Sequence, residues 1–231
     1  MTEKKFCVIG LGYFGHNLAL NLSRQGAEVL AIDKNPDRVD LVQEHVAYAV
    51  TMDSTDAKAM RSLGIKDMDA AIVAIGELFE PSIVTTAVLQ EIGVRRIINR
   101  VLNPIHERLL NLLNVSETLV PEAEAADHLA NRLMLPGLIE SYKISEDHSI
   151  YELKVPDWLI GRTVIDSNLR QIYSLNLVTV KRISKKYGIL RQNEKMNYMV
   201  LGTPQPDFIF SDNDILVLFG KEKDFINFMK E

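Results

Sequence analysis

Val8-Ile9-Gly10-Leu11-Gly12-Tyr13-Phe14-Gly15 decides the reading of this chain, because three glycines at this spacing stand between an apolar run that starts at Phe6 and a helix-like segment. The first glycine permits a tight turn out of a strand, the second lets a backbone approach a pyrophosphate, and the third lets the following helix pack closely on the sheet. Phosphates placed here face the start of a helix, where unpaired N–H groups and the helix dipole favour negative charge. Asp33 closes the next apolar run eighteen residues beyond Gly15, near the spacing of about 20 at which a carboxylate meets ribose hydroxyls. The pattern predicts a nucleotide site with Gly10, Gly12, Tyr13, Phe14 and Gly15 at the phosphates and Asp33 at the ribose.

Working outward, strand-like and helix-like patterns alternate up to about Val120, as they do in a parallel sheet covered on both faces. Strands are predicted over 6–9, 28–32, 47–51, 70–75, 96–101 and 117–120, with helices starting near Gly15, Pro36, Thr55, Pro81 and Pro104. This is an α/β class domain, a Rossmann-like doubly wound parallel sheet. A further helix over 122–133 is followed by Pro136-Gly137, a pair that stops helices and frees the chain to turn. The boundary is therefore placed between a nucleotide-binding domain, 1–135, and a smaller α+β domain, 136–231. In the latter, strands are expected over 139–144, 150–155, 177–183, 189–191 and 215–219, helices over 164–173 and 222–229, and an enlarged loop with some ordered apolar content over 192–207.

Composition narrows the classes. The 231 residues are 47% hydrophobic, enough for sizeable cores, and 26 basic against 31 acidic residues give a net charge of −5. That balance speaks against charge-driven nucleic-acid binding. No apolar run approaches a membrane span or a signal peptide, so a cytoplasmic protein is expected. The single cysteine, Cys7, lies inside the first predicted strand and reads as a core thiol.

Other residues carry two readings each. Asn35 either shares the ribose or opens a helix with Pro36. Asp53 and Ser54 lie at the ligand edge of the sheet as candidate nucleotide contacts, Asp53 meeting an adenine, whereas Ser54, Thr55 or Asp56 is more simply a helix N-cap. Ala74, within Val73-Ala74-Ile75-Gly76, suits a flat base or a buried strand. Arg100 ends the fifth strand and needs either a phosphate or a salt bridge. Glu122 either answers a helix dipole or helps hold a cation beside phosphates. The five histidines show no ligand spacing, and no metal site is assigned. Lys181, Arg182, Lys185, Lys186 and Arg191 surround a Tyr187-Gly188 turn that reads as a solvated hairpin, an anionic ligand or lipid surface being the alternative. No nucleophile or proton-transfer group is recognisable, which lowers the enzyme reading.

Taken together, the glycine segment, Asp33-Lys34-Asn35, Asp53-Ser54-Thr55-Asp56, Leu63-Gly64-Ile65, Val73 to Gly76 and Pro121-Glu122 resemble the regulator-of-potassium-conductance (RCK) family, in its Ktr/Trk branch. Gly161 to Asp166 and Asp212 to Gly220 resemble the start and end of that family's C-terminal domain. The resemblance implies a cytoplasmic gating subunit and not an enzyme, peripheral at the inner face of the membrane, that acts on a KtrB/TrkH-like membrane-embedded potassium transporter subunit. It implies ATP and ADP, or NAD and NADH, at the glycine motif, and dimers assembled into an octameric ring whose shape changes with ligand. It further implies that Glu122 takes part in binding Mg2+ or another cation, and that the C-terminal domain dimerises. Cyclic di-AMP is implied between two such domains, at a segment matched by Val164, Ile165, Arg170 and Asn176.

Two departures stand out. Tyr13 occupies a position where many ATP-responsive relatives carry arginine, and tyrosine cannot neutralise a phosphate. The 192–207 segment exceeds the family's shorter hairpin. The rival reading is an NAD-dependent oxidoreductase with an unrecognised substrate domain, and a third is a freestanding nucleotide-binding regulator of another protein.

Overall fold

Short apolar strands rich in Val, Ile and Ala, buried on both faces, belong in a parallel sheet. The computed structural model, which describes residues 4–183 and 198–231, builds that sheet from β1 (Lys5–Ile9), β2 (Glu28–Asp33), β3 (Tyr48–Thr51), β4 (Ala70–Val73), β5 (Ile97–Arg100) and β6 (Glu117–Leu119). Between them run α1 (Tyr13–Arg24), α2 (Pro36–Asp40), α3 (Ala57–Arg61), α4 (Phe79–Ile92) and α5 (Pro104–Leu112). All pairings are parallel, in the order β3-β2-β1-β4-β5-β6. The chain leaves β1 in one direction for β2 and β3 and later returns to its other side for β4 to β6. The crevice where such an order reverses is where ligands bind in open α/β sheets.

The two faces carry separate cores that follow the strand period of two. Cys7, Ile9, Leu30, Ile32, Ala71 and Val73 pack with Met60 of α3 and Leu89 of α4. Val8, Val29, Ala31 and Ile72 pack with Ala19 of α1 and Val39 of α2 on the other side. Each such side chain, fully buried, contributes roughly 1.5 to 3 kcal/mol for the larger aliphatics. Burial holds the Cys7 thiol well above the usual thiol range, the inert core role its strand position implied.

The chain divides into two compact units, Met1–Glu122 and Ala123–Glu231. The division falls in the first turn of α6 (Pro121–Met134), upstream of the Pro136-Gly137 pair, where Gly137 adopts a left-handed φ of 86° after the helix. The second unit holds an antiparallel sheet of β7 (Leu138–Lys143), β8 (His148–Lys154), β9 (Asn176–Ile183), β10 (Tyr198–Val200) and β11 (Ile215–Lys221), in the order β10-β9-β11-β8-β7. Two short helices, α7 (Leu169–Ile172) and α8 (Glu222–Phe228), accompany it. Its core joins aliphatic side chains to an aromatic cluster: Tyr151 stacks on Phe225, and Phe228 meets Trp158 and Tyr173.

Two expectations need correction. The helix predicted over 164–173 is only α7, because Thr163 bridges Ile209, Val164 donates its N–H to the Phe208 carbonyl, and Asn168 takes a left-handed φ of 49°. Residues 164–167 form a turn, closed by the Ser167 N–H to the Thr163 carbonyl and the Asn168 N–H to the Ile165 carbonyl. The segment read as a loop contains β10, which pairs antiparallel with β9. The predicted strand over 189–191, residues 192–197 of that loop, and Lys185, Lys186, Tyr187, Gly188 and Arg191 lie outside the described residues. Lys181 and Arg182 of the same basic cluster are paired, with Glu152 at 2.5 Å and with Asp214 at 2.6 Å.

Candidate functional site

The turn after β1 is built on backbone contacts that exclude side chains. Gly10 has a φ of +92°, and a Cβ there would lie 2.9 Å from the Ile75 nitrogen; a Cβ on Gly15 would collide with the Gly10 carbonyl. Gly12 differs. A Cβ at Gly12 would meet nothing within 4 Å, and its φ of −62° suits any residue. Internal packing gives no reason for a glycine here, whereas close approach of a ligand to the backbone does. Gly12 is also the N-cap of α1, which has no side-chain cap and no acidic residue in its first turn. Its first N–H groups are left to meet an anion.

β2 delivers Asp33 to the same edge, only 7% exposed. Oδ2 accepts the Leu11 N–H at 2.6 Å and Oδ1 accepts the Asn35 N–H at 2.8 Å. The carboxylate thus ties the glycine turn to β2. A carboxylate has about four lone-pair sites, so acceptor capacity remains for a hydroxyl donor. Asn35 takes the helix-entry role: its side-chain oxygen accepts the Asp37 N–H and caps α2, and it does not line the cavity described below.

At the end of β3, Asp53 accepts from the Thr55 N–H at 2.9 Å and from its hydroxyl at 2.7 Å, and these bonds hold the exposed carboxyl below the usual range. Ser54 is buried with its hydroxyl 2.7 Å from that of Thr85 on α4. The N-cap of α3 is Asp56, which accepts from Lys58 and Ala59. Beyond β4, Ala74, Ile75 and Gly76 form an apolar wall. A side chain at Gly76 would strike the Arg100 guanidinium, so the glycine lets Arg100 reach the edge.

Arg100, whose side chain is 18% exposed, bonds through Nη2 to Glu122 at the start of α6. Its guanidinium lies 5.8 Å from the centre of the Phe14 ring. Its Nε is buried and has no hydrogen-bond partner among the described residues. A buried donor left unmatched costs roughly 1 to 3 kcal/mol, which an anionic ligand would recover. The two residues read separately from sequence as phosphate and cation contacts are thus partners of each other.

These edges enclose a cavity of about 630 Å³, within the usual range for small-ligand sites of roughly 300 to 1,000 Å³. Gly10, Gly12, Tyr13, Asp33, Asp53, Ser54, Ala74 and Arg100 line it, whereas Phe14, Gly15 and Glu122 do not. Sequence reading missed Arg38, Glu77 and the first turn of α4, which also line it. Apolar wall, uncapped helix, open Gly12 and the unmatched Nε of Arg100 suit a flat base carrying phosphates.

Val164 of the second unit is half-buried and contacts its core, Ile165 is exposed, Arg170 lies on α7 and Asn176 begins β9. Among the described residues there is no cluster of three metal-ligating side chains. Nor is any helix of the described residues long and apolar enough to cross a membrane.

The TrkA-N domain matches residues 6–121, which hold the whole cavity. The chain is 32% identical over 228 residues to the Ktr system potassium uptake protein C of Bacillus subtilis (strain 168), covering 99% of this chain and 97% of that protein. It is 29% identical over 231 residues to the Ktr system potassium uptake protein A of the same organism, covering 100% and 98%. Among solved structures, the GsuK RCK domain superposes with a TM-score of 0.65 at 19% identity, covering 99% of this chain but 47% of that one, a likeness of fold. The span of the domain match and the end-to-end kinship with the Bacillus protein make this chain a member of the TrkA-N domain family of Ktr-type potassium uptake proteins.

Proposed function

We propose that this chain is the nucleotide-sensing regulatory subunit of a potassium uptake system, which controls potassium flux through ligand-dependent change of an assembly and does not itself carry out chemistry. The potassium role rests on the full-length relationship to the Ktr proteins. The ligand is an adenine nucleotide, ATP/ADP or NAD/NADH, and the observation that carries it is Gly12, a glycine with open space in front of it at an uncapped helix start.

In this reading the α1 N-terminus and Arg100 hold phosphates, Asp33 accepts from the ribose, and Ala74 and its neighbours pack against the base, with Asp53 at its edge. Glu122, already bonded to Arg100, releases that guanidinium when phosphate takes its place, and its carboxylate would help hold Mg2+ or another cation, which would offset phosphate charge. The Arg100–Glu122 pair gives the ligand a means of gating, since a nucleotide shifts an equilibrium only by binding its two states unequally. The partner is a KtrB/TrkH-like membrane subunit, which holds the chain at the inner face of the membrane. The chain assembles as dimers into an octameric ring. Cyclic di-AMP is a second ligand at Val164, Ile165, Arg170 and Asn176.

The test begins with mass spectrometry of the ligand retained on purification, followed by potassium flux in liposomes holding the membrane subunit, with and without this protein and each nucleotide. Asp33→Ala should lose about 1.5 to 3 kcal/mol of nucleotide affinity, and Arg100→Ala should weaken ATP and ADP together. With Tyr13 at the cavity's rim, the contrast between ATP and ADP should be small. Flux that never depends on the protein, or turnover of a nicotinamide cofactor on a defined substrate, refutes the gating reading.

A further inference from the structure

The cavity described above carries one ion pair that the nucleotide reading does not use. Arg38, on α2, reaches Glu77, in the segment after β4, at 2.9 Å. Because β2 and β4 flank β1 in the sheet, this pair joins the two sides of the cavity across the end of the strand that carries the glycine turn. The other Nη of Arg38 lies 3.8 Å from Oδ2 of the buried Asp33. One guanidinium therefore faces two carboxylates, and both it and Glu77 line the cavity.

This arrangement bears on a choice that every such site has to make. An acid at the end of the second strand accepts from a ribose 2′-hydroxyl, whereas an arginine nearby accommodates a 2′-phosphate. This chain holds both groups at one place. A 2′-phosphate brings a charge of about −1.5 to −2, and the groups waiting for it sum to one positive and two negative charges. Lys34, the other cation on this side of the cavity, has a third carboxylate, Asp53, on the same lining. Arg38 is thus present but already neutralised, and its freedom to turn towards a phosphate is set by Glu77.

We infer that Arg38 and Glu77 determine ligand specificity at the ribose: the cavity takes adenosine ligands with a free 2′-hydroxyl and rejects their 2′-phosphorylated counterparts, with Glu77 enforcing the choice by holding Arg38. The inference rests on the reading that Asp33 meets the ribose. Glu77 is 73% and Arg38 37% exposed at the side chain, so the hold is that of a surface ion pair, worth a few-fold in an equilibrium. Asp33, buried, sets the larger part of the discrimination.

The experiment uses the full chain and two probes that differ only at the 2′ position, 5′-AMP and adenosine 2′,5′-bisphosphate, with affinities from calorimetry. The unaltered protein should prefer 5′-AMP by about tenfold or more. Glu77→Gln, which frees Arg38, should narrow that ratio by roughly threefold, and Arg38→Ala, which leaves Asp33 unopposed, should widen it. A general defect of folding or of the glycine turn weakens both probes and cancels from the ratio. A ratio near one in the unaltered protein, or one that fails to move in opposite directions in the two variants, overturns the inference while leaving the nucleotide reading in place. No binding of 5′-AMP to the unaltered protein overturns both.

Discussion

The two units treat their buried charged groups differently. In the second unit the fully buried Asp214 accepts two bonds from Arg182, at 2.6 and 2.7 Å, and a third from the Ser211 N–H at 2.8 Å. The same guanidinium lies 5.0 Å from the centre of the Phe208 ring. In the first unit Ser82 Oγ, Asn99 Oδ1, Arg100 Nε and His106 Nε2 are buried with no partner among the described residues. The second unit matches its buried charge with its own atoms and leaves a single such atom, the Tyr151 hydroxyl oxygen, without a partner among the described residues. The other leaves donors and a helix end open, and Arg100 places one of them at the cavity wall. The second unit's buried ion pair and the first unit's cavity therefore draw on different residues, and substitutions can separate them.

The sharpest way to break the comparison is Gly15→Ala, whose Cβ has to displace the Gly10 carbonyl. Thermal unfolding should show roughly 3 kcal/mol lost, with the first unit affected and nucleotide binding abolished. Arg182→Ala should follow at about 2 kcal/mol, because Asp214 stays buried without its cation. That loss should appear in the second unit's unfolding while calorimetric affinity for nucleotide is unchanged. Gly12→Ala is the converse. Stability should move by less than about 1 kcal/mol, yet nucleotide affinity should fall about tenfold as the new methyl meets the ligand. Equal loss of affinity in Gly12→Ala and Arg182→Ala would erase the distinction between the units.

The smallest effect concerns pH. Burial pushes the His106 pKa below the ordinary imidazole value, so the folded unit keeps the ring neutral where the unfolded chain would protonate it. Stability from this residue is intact above the unfolded value of about 6.5 and declines as pH falls towards the folded one. Melting temperatures should drop on acidification through that window, and His106→Gln should flatten the drop.

What the sequence disclosed follows the range of the physics involved. The glycine turn, Asp33 and the alternation of β1 to β6 were legible because local sterics and a period of two residues write them into neighbouring positions. Asn35 carried two local meanings, and capping of α2 is the one its side chain takes up. Arg38 and Glu77 were invisible as a pair: they lie 39 residues apart, and only the strand order brings them together. The same holds for Arg100 with Glu122. β10 escaped because three exposed residues have no pattern of their own and are strand only through pairing with β9. Thr163 and Ile209 owe their extended path to each other in the same way.

The Leu11 N–H gives the molecule a built-in reporter. It donates to Asp33 Oδ2 at 2.6 Å, so any hydroxyl that this carboxylate accepts competes for electron density with an amide of the glycine turn. Ribose affinity and turn rigidity cannot be tuned separately, since one group serves both. The chemical shift and exchange rate of that single amide register occupancy of the cavity, even for a ligand that leaves every strand and helix where it stands.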